Sequence, residues 1–248
     1  MGTYIFDGSF EGMLSAIYQA SYMSDKYGQI LFHGMHQENL FTQIHSVETE
    51  QTKADKVYSA IKNKISREAL EHIMYAFLSG DENIGTFIYH YLNLGWKTGN
   101  KLDMYLDDTR VKRIHDLSSK VKFEKHRMLG LLRFRRLSLH YEVYYAPFEP
   151  DNNITMLLAP HFAQRLSDQN WIIHDIKRSI AACYNTKEWM MTELTSPQIP
   201  PLGEDEKLYQ YLWKQYYQSI SISGRQNPRL QRQMMPARYW RYLTEKTP

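Results

Sequence analysis

Residues 170–194 have the sequence NWIIHDIKRSIAACYNTKEWMMTEL, in which three runs rich in apolar and aromatic residues are separated by short polar stretches. Runs of this length and composition are typical of β-strands, and Asn185–Thr186 predicts a tight turn between the second and the third. The preceding segment, ITMLLAPHFAQRL at 154–166, has the apolar spacing of a helix. We therefore predict a small, mostly antiparallel sheet with a helix over one face.

Strand-like and helical patterns also occur closer to the N-terminus. LLRFRRLSL and HYEVYYAPF, at 131–139 and 140–148, predict an antiparallel pair of strands. TYIF and QILFH predict two earlier short strands, and residues 52–128 have mainly helical spacing. The fold class expected from these patterns is α+β.

Capping residues and glycines predict where the helices begin and end. The expected N-cap residues are Ser66, Asp81, and either Asp151 or Asn152. Gly95 is expected to end the helix that follows Asp81.

We expect four consecutive segments within one compact unit. They are a mostly helical region at 1–129, a small antiparallel α+β unit at 130–195, a proline-rich linker at 196–206, and a C-terminal aromatic helix with a basic tail at 207–248.

Composition excludes some kinds of site. Cys183 is the only cysteine among 248 residues, so the chain alone can form no intrachain disulfide and no thiolate site for zinc or an iron–sulfur cluster. No apolar run approaches the roughly 18 residues of a membrane span, and the first residues lack the pattern of a signal peptide. We expect a cytoplasmic protein without a membrane partner.

The charges are unevenly distributed along the chain. Residues 1–50 contain one lysine and six acids, whereas residues 110–136 contain ten Lys or Arg and two acids. Residues 207–241 contain seven Lys or Arg and no acid. Such basic segments are what a polyanion-binding surface needs, because each neutralised phosphate releases condensed counterions. The alternative is that the basic segments are solvated faces or pack against the acidic N-terminal region.

The C-terminal segment combines arginines with aromatic residues, as in NPRLQRQMMPARYWRYLTEK at 227–246. Proteins bind single-stranded or distorted nucleic acid with cations along the backbone and aromatic rings on the bases. The alternative is that Tyr239, Trp240 and Tyr242 are anchors that pack into the body of the protein.

Few motifs indicate catalysis. His33 and His36 have an H-x-x-H spacing without a nearby third ligand, and neither a glycine-rich phosphate loop nor a G-x-S-x-G motif is present. Cys183 lies in an apolar run, which favours a core position over a nucleophile. We predict no metal and no cofactor.

The candidates for acid–base chemistry are His161, His174 and Asp175, which the predicted helix and strand place in neighbouring elements. A cationic setting favours an anion and keeps a histidine neutral, so the group would bind phosphate or a base, or act as a catalytic base. A structural histidine with satisfied hydrogen bonds is the alternative. The flanking cations are Arg165, Lys177 and Arg178.

Several segments resemble a bacterial family associated with DNA repair or DNA metabolism. They are YIFDGSFEGMLSAIY at 4–18, RFRRL at 133–137, YYAPFEPDNNITMLLAPHFAQRLSDQNWIIHDIKRSIA at 144–181, and NPRLQRQMMPARYWRYLTE at 227–245. In that family the domain, whose function is unknown, occurs alone beside a radical-SAM protein or is fused to a uracil-DNA glycosylase domain. This chain is similar to the stand-alone form, since no glycosylase domain follows YLTEKTP.

The resemblance and the charges lead us to expect an accessory DNA-binding protein that serves a radical-SAM or glycosylase partner and is not itself an enzyme. The alternatives are an enzyme that acts on a nucleotide or damaged base, and a protein-interaction scaffold. The residues expected to contact DNA are Arg133, Arg135, Arg136, Arg165, Lys177, Arg178, Arg225, Arg229, Arg232, Arg238, Trp240 and Arg241.

Overall fold

The chain forms two compact units in the computed structural model, Met1–Lys122 and Phe123–Pro248, called here the N-terminal and the C-terminal unit. Both contain helices and strands, so the expected α+β class is confirmed. The predicted sheet segment at 130–195 lies within the C-terminal unit. The residues that the structure describes are 2–34, 43–138, 142–195 and 202–246.

A three-stranded parallel sheet lies in the N-terminal unit. Its strands are β1 (Gly2–Phe6), β2 (Gln29–Phe32) and β3 (Gln43–Ser46), in the order β2-β1-β3. The first two correspond to the predicted strands. The third was not predicted, because QIHS is short and mostly polar, which is weak evidence for a strand in a sequence.

Helices make up the rest of this unit. They are α1 (Phe10–Tyr22), α2 (Gln51–Ala60), α3 (Arg67–Phe77), α4 (Ile84–Thr98) and α5 (Thr109–Leu131), with a π-helical turn at Ile61–Ile65 and a 3-10 turn at Gly99–Met104. The boundary between the two units falls within α5. A buried apolar cluster joins the sheet to the helices around fully buried side chains such as Tyr4, Ile30 and Ile88.

The predicted N-cap at Ser66 is confirmed, and Ser9 caps α1 in the same way. Ser9 and Ser66 accept hydrogen bonds from the backbone N–H groups of Gly12 and Ala69, as N-cap residues do. Gly8, in the turn before α1, has a φ of +90°, a conformation that suits glycine.

Two predicted boundaries of α4 were wrong. The N-cap is Asn83, and Asp81 instead accepts a hydrogen bond from the Asn83 N–H in the turn before the helix. Gly95 lies inside α4, where a Cβ would come within 2.6 Å of Ile65 Cδ1, so this glycine serves close packing. The helix ends at Gly99, whose φ is +59°.

A five-stranded mixed sheet lies in the C-terminal unit, in the order β4-β5-β6-β7-β8. Three neighbouring pairs are antiparallel and one, β5 with β6, is parallel, as the crossover through α6 requires. The predicted mostly antiparallel sheet is therefore confirmed. The elements are β4 (Arg135–Arg136), β5 (Val143–Phe148), α6 (Thr155–Arg165), β6 (Asn170–Asp175), β7 (Ile180–Asn185) and β8 (Trp189–Glu193).

The helix α6 covers the sheet face to which Trp171 belongs. The Phe134 ring contacts both Phe162 of α6, at 5.1 Å between centroids, and Trp171 of β6, at 6.4 Å. Alternate side chains of a strand point to opposite faces, so Asp175 shares the Trp171 face and His174 lies on the other. The expected helix over one face is present.

Two further boundaries differ from the predictions. The N-cap of α6 is Ile154, because the backbone N–H groups of Asp151 and Asn152 donate to Glu124 instead of leading into the helix. The predicted linker at 196–206 overlaps a helix, since α7 covers Glu204–Ser219, while residues 196–201 lie outside the described part. The acidic residues Glu204, Asp205 and Glu206 suit the first turn of a helix because of its dipole.

The C-terminal segment continues from α7 through short helical pieces. They are a 3-10 turn at Ser223–Arg225, α8 (Pro228–Met234), and a 3-10 turn at Ala237–Tyr242. None of the helices in the described ranges is long and apolar enough to cross a membrane.

Candidate nucleic-acid interface

Glu124 anchors the C-terminal segment. Its carboxylate is 3% exposed and accepts hydrogen bonds from the Tyr239 hydroxyl, from the backbone N–H groups of Asp151 and Asn152, and from the Asn152 amide. Burial and this carboxylate raise the pKa of Tyr239 above its ordinary value. Four donors compensate the desolvation of a buried charge, so this cluster is structural.

Glu245 is a second buried anchor. Its side chain is 2% exposed, and it accepts two hydrogen bonds from the Arg133 guanidinium, at 2.6 and 3.1 Å, and one from Trp213 Nε1 at 2.9 Å. Burial alone would raise the pKa of Glu245, but these hydrogen bonds outweigh it and lower the pKa. The carboxylate therefore ties the C-terminal segment to α7 and to Arg133, which lies two residues before β4.

Internal partners also hold the other arginines near this segment. Arg241 pairs with Glu149, whose carboxylate accepts a further hydrogen bond from the Tyr242 hydroxyl. Arg238 pairs with Asp151 at 2.6 Å and donates to the Tyr239 hydroxyl. These pairs leave the guanidinium groups less available to a phosphate than the sequence suggested.

Three more of the predicted DNA contacts have internal partners. Arg135 donates to the Tyr242 carbonyl, and Arg136 pairs with Glu142 at 2.8 Å. Arg178 donates to Asp175 and to two backbone carbonyls, those of residues 150 and 151.

Trp240 is half-buried, and its Nε1 donates to the Met235 carbonyl at 2.9 Å. Lys246 lies 4.9 Å from the centre of its ring. These contacts agree with the alternative in which the aromatic residues of this segment are anchors, and Tyr239 is more deeply buried than Trp240.

The remaining predicted cations differ from the rest because their side chains are exposed and make no ion pair with any described residue. They are Arg165, Lys177, Arg225, Arg229 and Arg232. Arg229 and Arg232 are three residues apart on α8, so they share one side of that helix.

His174 is a structural histidine and has no free ring nitrogen. Its Nε2 lies 3.1 Å from the Leu194 carbonyl, which only accepts, so Nε2 carries the proton and Nδ1 accepts from the Tyr145 hydroxyl at 2.7 Å. Burial lowers the pKa of His174, against smaller opposing effects of the Leu194 carbonyl and Asp175, and burial raises the pKa of Tyr145 to about 12. The neutral imidazole is thus the form that fits the site.

The three predicted acid–base residues do not share one site. Asp175 is fully buried and binds Arg178 at 2.9 Å, while His174 points to the opposite face of β6. His161 lies on α6, its ring packs edge-on against Phe162, and its buried Nε2 has no hydrogen-bond partner within the described ranges. The expectation failed because it counted neighbouring elements without the alternation of faces along a strand.

Two adjoining hollows form an open groove beside α7. The first, of about 790 Å³, is lined by Tyr209, Trp213 and Tyr216 of α7 on one side and by Phe134 and Tyr144 on the other. The second, of about 630 Å³, shares Phe134, Tyr144 and Trp213 with the first. Three arginines contribute to the lining of the two hollows: Arg133, Arg136 and Arg165.

Some aromatic rings of the groove are accessible. Tyr209 and Tyr216 are 61% and 55% exposed, whereas proteins usually bury a larger part of such side chains. Arg133 lies 5.5 Å from the centre of the Trp213 ring, so a stacked cation–π pair forms part of the wall. The groove thus offers ring faces beside guanidinium groups.

The helix α7 connects this groove with the exposed arginines of α8. At 16 residues it is about 24 Å long. Near its C-terminal end the Tyr217 hydroxyl accepts a hydrogen bond from Gln231 of α8. A third hollow, of about 600 Å³, lies between these two helices and includes Arg225.

Comparison with known families identifies a related group. A family model described as a domain of unknown function, DUF4130, matches residues 82–245. The chain belongs to the DUF4130 family. The matched residues include the whole groove, both buried glutamates and the arginines of α8. Comparison with curated proteins finds no match.

Sequence analysis missed most of the residues that form the groove in the DUF4130 region. The signal that could have found them was the aromatic content of KLYQYLWKQYYQSISI at 207–222, in which Tyr209, Trp213 and Tyr216 recur at helical spacing.

A group of potential metal ligands was also missed. His72, Asp103 and His115 lie close together in the N-terminal unit although they share no spacing motif. The pair that we considered, His33 and His36, cannot be assessed, because His36 lies outside the described residues. Cys183 is half-buried in β7, and burial raises the pKa of its thiol, which agrees with a non-nucleophilic role.

Proposed function

We propose that this chain binds single-stranded or distorted DNA as an accessory to a repair partner. The observation that carries this proposal is the groove beside α7, in which exposed tyrosines stand next to arginines. Single-strand binders combine these two kinds of side chain, because a ring can stack on any base and a cation can follow the backbone.

The exposed cations would supply the phosphate contacts. Arg133 and Arg136 are paired with acids, so they shape the groove more than they attract a polyanion. Arg165 at the second hollow, and Arg225, Arg229 and Arg232 beyond the end of α7, make no ion pair within the described ranges. Their positions favour a strand that passes along α7 from the groove to α8.

Binding of a fluorescent single-stranded oligonucleotide, followed by anisotropy, tests the stacking role. Tyr209→Ala and Tyr216→Ala should each weaken binding by about 1–3 kcal/mol, which is the usual worth of one stacked base. Tyr211→Ala is the matched control, because Tyr211 is 58% exposed on the same helix but does not line the groove. Equal affinities of all three variants and the wild type would contradict the proposal.

The resemblance to the DNA-repair family supports a radical-SAM protein as the partner. Such a protein would carry its own cluster, which agrees with the single cysteine of this chain. Apolar side chains outside the groove, including Leu208 of α7 at 58% and Ile220 at its C-cap at 56% exposure, offer it a contact surface.

Co-purification with the radical-SAM protein tests the partner. Leu208→Glu should abolish the complex and leave oligonucleotide binding unchanged. Tyr209→Ala should weaken oligonucleotide binding and leave the complex intact. If the complex forms but no oligonucleotide binds at low salt, the chain is a protein-interaction scaffold. Turnover of a damaged oligonucleotide by the isolated chain would favour an enzyme instead.

A further inference from the structure

Three potential metal ligands from separate elements meet in the N-terminal unit. His72 lies on α3, Asp103 in the 3-10 turn at Gly99–Met104, and His115 on α5. Each residue offers one atom that could bind a metal, and these three atoms all lie within 4.8 Å of one another. The group therefore depends on the tertiary structure and not on a local turn.

His115 contacts both of the other side chains. His115 Nε2 lies 2.8 Å from Asp103 Oδ1, and the His72 and His115 rings stack with centroids 4.1 Å apart. Asp103 Oδ1 also accepts a hydrogen bond from the Tyr91 hydroxyl at 2.6 Å, and His72 Nδ1 lies 3.2 Å from Ser118 Oγ. Hydrogen bonds of this kind orient the ligands of metal sites and fix the histidine tautomer.

The surroundings suit a site with rigid support and an open side. Tyr91 and Ser118 are fully buried, so the groups that orient Asp103 and His72 are held by packing. The side chains of His115 and Asp103 are 23% and 24% exposed, which leaves room for solvent.

The charge near the group is balanced. Lys122, a cation that acts on His72, pairs with Glu71 at 2.7 Å. This pair contributes little net charge. The carboxylate of Asp103 would then partly neutralise a bound dication.

We propose that His72, Asp103 and His115 bind one divalent transition-metal ion of the class that includes Zn²⁺. Two imidazoles and one carboxylate are a known ligand set for zinc sites that keep one position for water. With metal–ligand bonds of about 2.0–2.1 Å, the ligand atoms of a tetrahedral zinc site lie about 3.3 Å apart. Because the two rings stack with an angle of 20° between their planes, at least one imidazole must turn on binding, and the ion replaces the His115–Asp103 hydrogen bond. The inference is independent of DNA binding.

Zinc titration of the full-length, chelator-treated protein tests the site. The wild type should bind one Zn²⁺ per chain, and its melting temperature should rise by several degrees with saturating Zn²⁺, since a ligand that binds only the folded state stabilises it. His72→Gln and Asp103→Asn should lower the affinity at least about tenfold. Asp103→Asn keeps a side-chain oxygen that can accept from Tyr91, so its fold should persist. His126→Gln is the control, because His126 is an exposed histidine of the same helix as His115.

Cobalt provides a second readout that does not depend on the variants. Co²⁺ bound to the wild type should give the intense visible bands of a four-coordinate nitrogen and oxygen site, and excess Zn²⁺ should abolish them. The weak bands of aqueous Co²⁺, or equal zinc affinity of the wild type and a folded Asp103→Asn variant, would overturn the proposal. The group would then be a polar cluster held by its hydrogen bonds alone.

Discussion

Two buried glutamates determine how the C-terminal arginines and aromatic residues are used. Glu124 binds Tyr239 and two backbone N–H groups, and Glu245 binds Arg133 and Trp213. A buried carboxylate needs such donors, because an unpaired charge in the interior is strongly unfavourable. Tyr239 and Arg133 are therefore structural residues, whatever else binds nearby.

Tyr239→Phe should destabilise the C-terminal unit. The change removes a hydrogen bond to a buried carboxylate, which is worth about 1.5–3 kcal/mol, while the ring remains. Urea denaturation measures the change in the free energy of unfolding. Tyr209→Phe is the control, because its ring is exposed and it should be neutral. If Tyr239→Phe lowers the free energy of unfolding no more than Tyr209→Phe does, the Tyr239 hydroxyl does not stabilise the buried Glu124 carboxylate.

Stability should fall on mild acidification because of His174. Burial lowers its pKa below the ordinary value of 6.5, so the unfolded chain takes up a proton more readily than the folded one. The contribution is fully present above about pH 6.5 and is lost as the pH falls below it. His72 and His90, whose pKa values burial also lowers, act in the same direction.

His174→Gln isolates the contribution of one residue. The variant should be less stable than the wild type near pH 7.5, and the difference should shrink near pH 5.5, where the wild type carries the cost of the protonated imidazole. Chemical denaturation at the two pH values measures this. A constant difference would mean that His174 is protonated to the same extent in both states.

Helices α4 and α8 have different roles, since α4 is closely packed and α8 is exposed and charged. α4 contains Gly95 where Ile65 and Leu102 leave no room for a side chain, whereas α8 has no buried residue and carries two exposed arginines. Changes in α4 should therefore affect stability, and changes in α8 should affect binding.

Gly95→Ala should destabilise the N-terminal unit although alanine has the higher helix propensity. The new methyl group would lie within 2.6 Å of Ile65 Cδ1 and 2.8 Å of Leu102 Cδ2, and overpacking of this kind costs about 1–3 kcal/mol. Thermal melting measures the loss. Gly130→Ala in α5 is the control, because a Cβ there meets no atom within 4 Å. Stabilisation by both changes would show that Gly95 is not packed as described.

Replacing Arg229 and Arg232 by Ala should weaken DNA binding and leave the melting temperature nearly unchanged, since neither makes an ion pair within the described ranges. Arg238→Ala is the comparison, because Arg238 pairs with Asp151 and donates to Tyr239. If the double variant unfolds while Arg238→Ala does not, Arg229 and Arg232 stabilise the fold and Arg238 does not.

The distribution of charge over the molecule predicts its response to salt. Many cations of the basic segments have internal acidic partners, so fewer of them remain for phosphates than the composition suggests. If the four exposed arginines 165, 225, 229 and 232 each neutralise one phosphate, log K should fall against log salt with a slope of roughly −3 for single-stranded DNA. Anisotropy titrations at several salt concentrations measure the slope. A flat response would contradict DNA binding through phosphates.

The groove and the proposed metal group were beyond sequence reasoning for a common reason. The tyrosines of α7 are visible as a helical pattern, but only folding places them opposite Phe134 and Tyr144. His72 is separated by 31 residues from Asp103 and by 43 from His115, as their residue numbers show. Local spacing carries no information on such distant pairs.

Most elements and the N-cap at Ser66 followed from the sequence, because they depend on residues within a few positions of each other, whereas the predicted caps of α4 and α6 were wrong. Ser9 and Ser66 cap helices with N–H groups three residues away, and the strand pattern of residues 170–194 needs only its own alternation. The pairing of charges depends on contacts such as Glu124 with Tyr239, which are 115 residues apart. Whether an arginine is free or bound to a carboxylate is set by which elements pack together, so only the tertiary structure decided it.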